Sequence, residues 1–501
     1  MKLFEIMRHY QRLAYALTGM LIMVGIASWF TMARQEDPSF PQRAGLIKVV
    51  FPGVTAGQIE KLITEPLEEQ LTEVEELRSI KSTSRDDVVL VVMQLQDRIY
   101  DTDAAWDRVR RAMEKAERDF PQGVVEFSLD DQRVEIPAVV ISVVGSGDIV
   151  SMAEQAEKLK KQLLHVAGVS RIEINGDPEK ELRIELDNNT LNQLGINRDQ
   201  VVAAIQTHNK IIPGGLIRTG NQGLRIASGS DLQHTGDIEA IPIALPNGQR
   251  IPLHALGKIS IAPKEPKAAQ SYHKGARAVS LGIFLQRGQV DSIKFGVALR
   301  ERLDSVREQY APLKIEEIFF QPDFVADRLS GLQLSLLGSI SIIALAVVFA
   351  LGWRNGLMVA SVVPVVAIIA LAIYSIGSGV LHQIAVIGVV ISLGILVDNA
   401  IVVVEAIEQG LQQGLNRKAS VKEAVAKMAF PLFTSTGTTV AAFIPLLLSK
   451  GGTGDFTRGV PVMIILSLII SYIISVLVLP LLAEHLVRER VRKKSRFLEY
   501  T

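Results

Sequence analysis

The chain has 501 residues, 48% of them hydrophobic and 6% aromatic, and its mean hydropathy of +0.27 is too apolar for an ordinary soluble protein. Lys and Arg total 53 against 53 Asp and Glu, so the basic excess of a nucleic-acid binder is missing. With no cysteine, a disulfide framework, thiolate metal sites and cysteine catalysis are excluded. Since 21% of residues are charged, charge and apolar residues must be segregated along the chain.

After Lys2, Arg8 and Arg12, the stretch from Leu13 to Met32 carries no charge and is long enough to cross a hydrocarbon core of about 30 Å. Trp29, Phe30 and Arg34 stand where a signal peptide would have small residues, so this is an uncleaved anchor. Between Leu332 and Val404 only Arg354 and Asp398 are charged, and breaks at Trp353–Asn355 and Ser375–Gln383 divide the stretch into three more spans. Phe430–Leu448 and Val460–Ala483 bring the total to six. Basic residues gather on one side. They comprise the N-terminal arm, Arg354, a linker with Arg417, Lys418, Lys422 and Lys427, and a tail running from Arg488 to Arg496. The opposite short loops hold only Lys450 and Arg458. By the positive-inside rule the N-terminus is cytoplasmic and residues 33–331 are exported.

The exported segment begins with an extended run Ala44–Phe51, a Pro52-Gly53 break and a helix opening at Thr55, with Gln58 completing a capping box. Strands Leu77–Ser84 and Val88–Gln94, a helix Thr102–Arg118 and a strand Val124–Leu129 complete a β-α-β-β-α-β order, the ferredoxin-like split unit. The pattern restarts with strand Ala138–Val144, helix Ser151–Val166 and strand Val169–Ile174. Its second half comes about 100 residues later, as strand Ala278–Phe284, helix Val290–Gln309 and strand Leu313–Phe320. The intervening Pro178–Lys274 is an insert. Its centre, Ile211–Ser230, is rich in Gly and Pro and poor in core residues, which suits an arm or hairpins reaching another subunit, or a surface loop.

Asp398 is the acid within the apolar spans. An unpaired carboxylate there costs about 2.5 to 3.5 kcal/mol on insertion scales, so such residues normally face a bundle interior or a water path and carry function. Hydrocarbon favours its protonated form and a nearby cation its ionised form, and a carboxylate balanced between the two can load and release a proton. The bland alternative is a permanently protonated, hydrogen-bonded side chain. Asn399 points about 100° away and serves either as a hydrogen bond to another span or in the proton relay. Gly388, Ser392 and Gly394 permit close helix approach. The Thr434–Thr439 cluster, including Thr436, Thr438 and Thr439, either satisfies carbonyls freed by proline or lines a proton route.

The topology, together with Leu396-Val-Asp-Asn-Ala-Ile-Val-Val-Val-Glu405, Phe51-Pro-Gly-Val-Thr-Ala-Gly-Gln-Ile-Glu60, Thr64-Glu-Pro-Leu-Glu-Glu69 and Gly214-Gly-Leu-Ile-Arg-Thr-Gly220, resembles the resistance-nodulation-division (RND) efflux permeases of the hydrophobe/amphiphile type. The resemblance covers essentially the whole chain. It implies a six-helix membrane bundle plus an α+β periplasmic porter domain of two ferredoxin-like subdomains with an inserted docking domain. The boundaries would be 1–34 for the arm and first span, 35–132 for the first porter subdomain, and 133–178 with 275–330 for the second. Residues 179–274 would be the docking insert, 331–483 the remaining spans and 484–501 a basic tail. It further implies proton antiport through Asp398 and Asn399, no cofactor and no metal, a homotrimer contacted through an arm at Pro213, Gly214, Gly215 and Arg218, a periplasmic adaptor and an outer-membrane channel. Relatives are about twice as long, so a missing C-terminal half with six further spans and an intramembrane Lys is expected as a partner. Asn399 stands where many members have a second Asp. Met93, Met113 and Met152 are widely spaced, which places amphiphiles above metals as cargo. Two other readings remain, a protein-export accessory subunit of the Sec type and a non-transporting half-pump; neither is a soluble enzyme.

Overall fold

A computed structural model of the chain describes residues 8–487 apart from 132–135, 146, 179, 209–215, 220–221, 226–234, 265–269, 287, 289 and 378–379. Six helices are long and apolar enough to cross a membrane: TM1 (Gln11–Thr31), TM2 (Gln321–Leu351), TM3 (Trp353–Gly377), TM4 (Gln383–Gln412), TM5 (Arg417–Leu447) and TM6 (Gly459–Leu486). TM3, TM4 and TM6 form the interior of the bundle, with 67%, 56% and 61% of their apolar windows buried, against 17%, 6% and 11% for TM1, TM2 and TM5. The contact between TM4 and TM6 is built on small residues. A Cβ placed on Gly388 would lie 2.9 Å from Met463 Cβ and 3.0 Å from the Val460 carbonyl oxygen, so only glycine fits. Ser467, Ser471 and Ser475, one turn apart on TM6, are fully buried, as expected where backbones approach closely.

Two helices extend beyond their expected bounds. TM2 starts at Gln321, directly after the strand Lys314–Phe320, and not at Leu332. The basic linker Arg417–Lys427 is also helical and continuous with TM5. There Asn416 accepts a hydrogen bond from the Ala419 amide at 2.8 Å, and Glu423 pairs with Lys427 one turn on at 3.2 Å. Charge ended the apolar pattern in both places without ending the helix.

Outside the bundle, a four-stranded antiparallel sheet runs in the order Leu77–Arg85, Val88–Leu95, Ala44–Val50, Glu126–Asp130. Two helical stretches cover one face. The first is opened by the Thr55–Gln58 capping box, and the second, Thr102–Glu117, by Asp101 accepting from the Ala104 amide. They bury Ile59, Ile63, Leu67, Trp106 and Val109 against Ile47, Val49, Val89 and Val91. The second unit repeats this strand order: Val169–Asn175, Ala276–Leu285, Val139–Val144, Lys314–Phe320. Its helices Ile149–Leu163 and Ser292–Arg307 supply Leu159, Leu163, Phe295 and Leu299 to a separate core.

The insert leaves this sheet without breaking it. Val169–Asn175 and Ser271–His273 pair in succession along one edge of Ala276–Leu285, and a Cβ on Gly176 would lie 2.4 Å from Ser271 Cβ, so the exit and return points touch. The insert is more than an arm. Its flanks pair as Lys180–Leu186 with Gly257–Pro263 and bury Leu191, Val201, Ile241, Ile243, Leu253 and Leu256 in a core of their own. At its centre Leu216–Thr219 and Gln222–Arg225 form an antiparallel hairpin that contains Arg218, while Pro213, Gly214 and Gly215 lie outside the described residues.

Candidate functional site

Asp398 sits 15 residues after the start of TM4 and 14 before its end, about 22 Å from either terminus at 1.5 Å per residue. It therefore lies at mid-depth. It does not, however, face the interior of this bundle. Ile391, Gly394, Asp398, Val402, Glu405 and Gln409 are all on the exposed or half-exposed side of the helix and recur at helical spacing, so they form one outward stripe along TM4. Among the described residues, Asp398 has no hydrogen-bond or ion-pair partner. A Cβ on Gly394, one turn before it, would meet nothing within 4 Å. The close approach expected at Gly394 is thus not made among the described residues, none of which covers that side of TM4, and the glycine leaves a notch beside the carboxylate.

Asn399 is placed differently. The 100° turn carries it into the bundle, where it is buried and its Nδ2 donates to Thr436 Oγ1 at 3.3 Å and to Ser471 Oγ at 3.5 Å. Ser471 Oγ in turn donates to the Leu396 carbonyl at 2.7 Å. One amide thereby ties TM4 to TM5 and TM6. Thr436 is the buried threonine of its cluster. Thr438 and Thr439 both donate to the Ser435 carbonyl, at 2.8 and 3.0 Å, and Thr434 to the Phe430 carbonyl at 3.1 Å. The prolines of TM5, Pro431 and Pro445, free the carbonyls four residues before them, and the threonine hydroxyls satisfy other ones. Asp398 and Asn399 are adjacent in sequence, yet the fold brings only Asn399, Thr436 and Ser471 together.

One end of TM4 is set by a residue that the apolar pattern did not single out. His382, just outside the span, accepts from the Ala385 amide on Nδ1 at 3.3 Å, so Nε2 carries the proton and donates to Tyr374 Oη at 2.9 Å. Burial pulls the pKa of His382 down to about 4, with Asp37 opposing weakly. Two long-range ion pairs also had no local signal in the sequence. Arg43 reaches Asp455 at 2.6 Å. Arg300 forks onto Asp323 at 2.8 and 2.6 Å and onto Glu317 at 2.9 Å, with its guanidinium 3.7 Å over the Phe320 ring. Among the described residues, no cluster of three or more His, Asp or Glu is placed to hold a metal ion.

Comparison with known proteins adds an independent line. Residues 1–501 match the AcrB/AcrD/AcrF family. The multidrug resistance protein MdtC of Pantoea ananatis is 22% identical over 479 residues, 93% of this chain and 46% of the relative. The toluene efflux pump membrane transporter TtgB of Pseudomonas putida is 22% identical over 471 residues, 91% of this chain and 44% of the relative. MdtC of Yersinia pestis bv. Antiqua is 23% identical over 460 residues, 90% of this chain and 44% of the relative. The chain spans about half the length of the curated relatives it matches.

Proposed function

The chain belongs to the AcrB/AcrD/AcrF family of RND permeases, and from that premise we propose that it forms the N-terminal half of an inner-membrane exporter of amphiphilic small molecules driven by proton antiport. The observation that carries this reading is the outward, unpartnered position of Asp398 at the middle of TM4. A bare carboxylate against lipid is costly, about 2.5 to 3.5 kcal/mol, whereas one facing a second helical half that brings a cation and a water path has both a partner and a proton route. The TM4 stripe is then the seam of the two halves. Each proton crossing through roughly 100 mV releases about 2.3 kcal/mol, and each unit of pH difference adds about 1.4 kcal/mol.

In this reading the N-terminus is cytoplasmic and residues 33–331 are periplasmic. The two sheet units are the porter subdomains and the insert is the docking domain, its central hairpin with Arg218 reaching a neighbouring protomer of a trimer. An adaptor and an outer-membrane channel complete the path. Asn399 holds TM4 in place and leaves proton loading to Asp398. The test is Asp398→Ala in the natural gene context. Export of amphiphilic dyes should cease while the amount of protein in the membrane stays at wild-type level; full acid-driven export by this variant removes Asp398 from the mechanism.

A further inference from the structure

The most buried ion pair among the described residues joins the first sheet unit to the membrane bundle. Arg43 and Asp455 are 6% and 12% exposed and lie 2.6 Å apart. Arg43 immediately precedes Ala44–Val50, one of the two inner strands of the first sheet, and its carbonyl accepts from the Leu95 amide of the neighbouring strand. Its Nε donates to the Ile99 carbonyl at 2.9 Å, and Nη2 is buried without a partner. Asp455 is therefore the only anionic contact of this guanidinium among the described residues. A desolvated pair of this kind stabilises little in itself, but losing one member leaves the other charge buried and unpaired.

Asp455 belongs to the short helix Gly451–Thr457, which leads directly into TM6. Two further contacts seat that helix on the first unit. Phe456 packs edge-on against Phe40 with 6.2 Å between ring centres, and Gly451 lies so close to Asp97 that an added Cβ would be 3.1 Å from the carboxylate. TM6 is locked to TM4 by the Gly388–Met463 approach and by the bond from Ser471 to the Leu396 carbonyl, two residues before Asp398. A continuous run of packed elements thus connects the carboxylate helix to the first sheet. The second unit has a different attachment: its last strand runs straight into TM2 under the Arg300 clamp.

We propose that the Arg43–Asp455 pair is the positioning link that passes movement of TM4 and TM6 to the first sheet unit, separately from the TM2 attachment of the second unit. This rests on the proton-driven reading above. The bundle has other ties to this unit, namely the loop contacts at Phe40 and Asp97 and, on the chain entering the unit, the pairing of Ala33–Gln35 with Val380–His382 and the bonds from Gln383 to the Glu36 carbonyl at 3.1 Å and to Asp37 at 2.7 Å. None of these is a buried ion pair, and none reaches the strand Ala44–Val50 from the helix that leads into TM6 as Arg43–Asp455 does.

These 501 residues hold no cysteine, so a single thiol label can be placed within them in the protein purified from its natural gene context, any cysteine elsewhere in that protein being replaced by serine first, and reconstituted in vesicles. A single environment-sensitive thiol label is placed either on the first unit, at Val125→Cys, or on the second, at Val297→Cys; both side chains are exposed. On acidification of one side, both labels should respond in the otherwise unaltered protein, and neither in Asp398→Ala. With Asp455→Asn, the first-unit response should fall at least about tenfold while the second-unit response persists, and Arg43→Asp with Asp455→Arg should restore it. An undiminished first-unit response in Asp455→Asn overturns the link. So does a first-unit response that is absent from the start while the second unit moves, or a charge exchange that restores nothing. If neither label responds in the unaltered protein, the proton-driven reading fails, and the link fails with it.

Discussion

TM2 and TM4 both present an uncovered face, and the two faces differ in kind. Along TM2 the exposed side chains include Leu334, Leu337, Ile342, Leu345 and Phe349, and the hydroxyls of Ser335 and Ser341 donate to carbonyls of their own helix. That face can lie against acyl chains with nothing unsatisfied. Along TM4 the exposed stripe contains Asp398 at mid-depth and Glu405 two turns later, and no local bond neutralises the former. One face is suited to lipid and the other to protein or water. On the proposed reading, the difference separates a helix that borders the bilayer from one whose open face meets a second helical half.

Substitutions can break or sharpen that contrast. The largest effect is expected from making TM2 resemble TM4: Ile342→Asp should weaken insertion of TM2 by about 2.5 to 3.5 kcal/mol, and Asp398→Leu should strengthen insertion of TM4 by a similar amount, both read in a segment-insertion assay. Equal and small effects would mean that the two faces meet the same surroundings. Next comes the distinction between the buried and exposed sides of TM4. Gly388→Ala forces a methyl group onto Met463 and the Val460 carbonyl and should cost about 1 to 3 kcal/mol. Gly394→Ala, in open space, should stay within about 0.5 kcal/mol in thermal unfolding of the isolated chain, and should lower export only where a second half covers the stripe. Asn399→Leu removes two long hydrogen bonds and should cost about 1.2 kcal/mol at the average of about 0.6 for each such bond in membranes.

A separate effect, read only as a pH dependence, concerns the capped end of TM4. The pKa of His382 is about 4 in the folded chain against an ordinary 6.5, so the unfolded chain binds the extra proton first as pH falls. The stability His382 contributes is therefore fully present above about pH 6.5 and declines progressively toward pH 4. Unfolding temperature measured across this window should show the slope in the native sequence and lose it in His382→Asn, whose side chain can still cap the helix.

Much of this organisation was readable from residue order. The six apolar runs, the capping box at Thr55 and Gln58, and the β-α-β-β-α-β order were legible because each depends on neighbours within a turn or a strand. The extra helical turns before TM2 and TM5 were not, since charged residues that snorkel or pair along a helix look like a linker to a hydropathy count. The core of the insert was missed for a related reason: Leu191, Ile241 and Leu253 are far apart in sequence and meet only after the flanks pair.

By itself the sequence determined that one carboxylate would lie at the centre of a span and that an amide would follow it, because both facts are counted along the chain. Which of the two faced inward was decided only by the packing of TM4 on TM6. Gly388 and the buried serines set which side of TM4 could approach a neighbour, and that rotation turned Asn399 toward Thr436 and Ser471 and left Asp398 outside. The same holds for Arg43 and Asp455, 412 residues apart: a buried ion pair is a property of two surfaces meeting, and no local pattern records it.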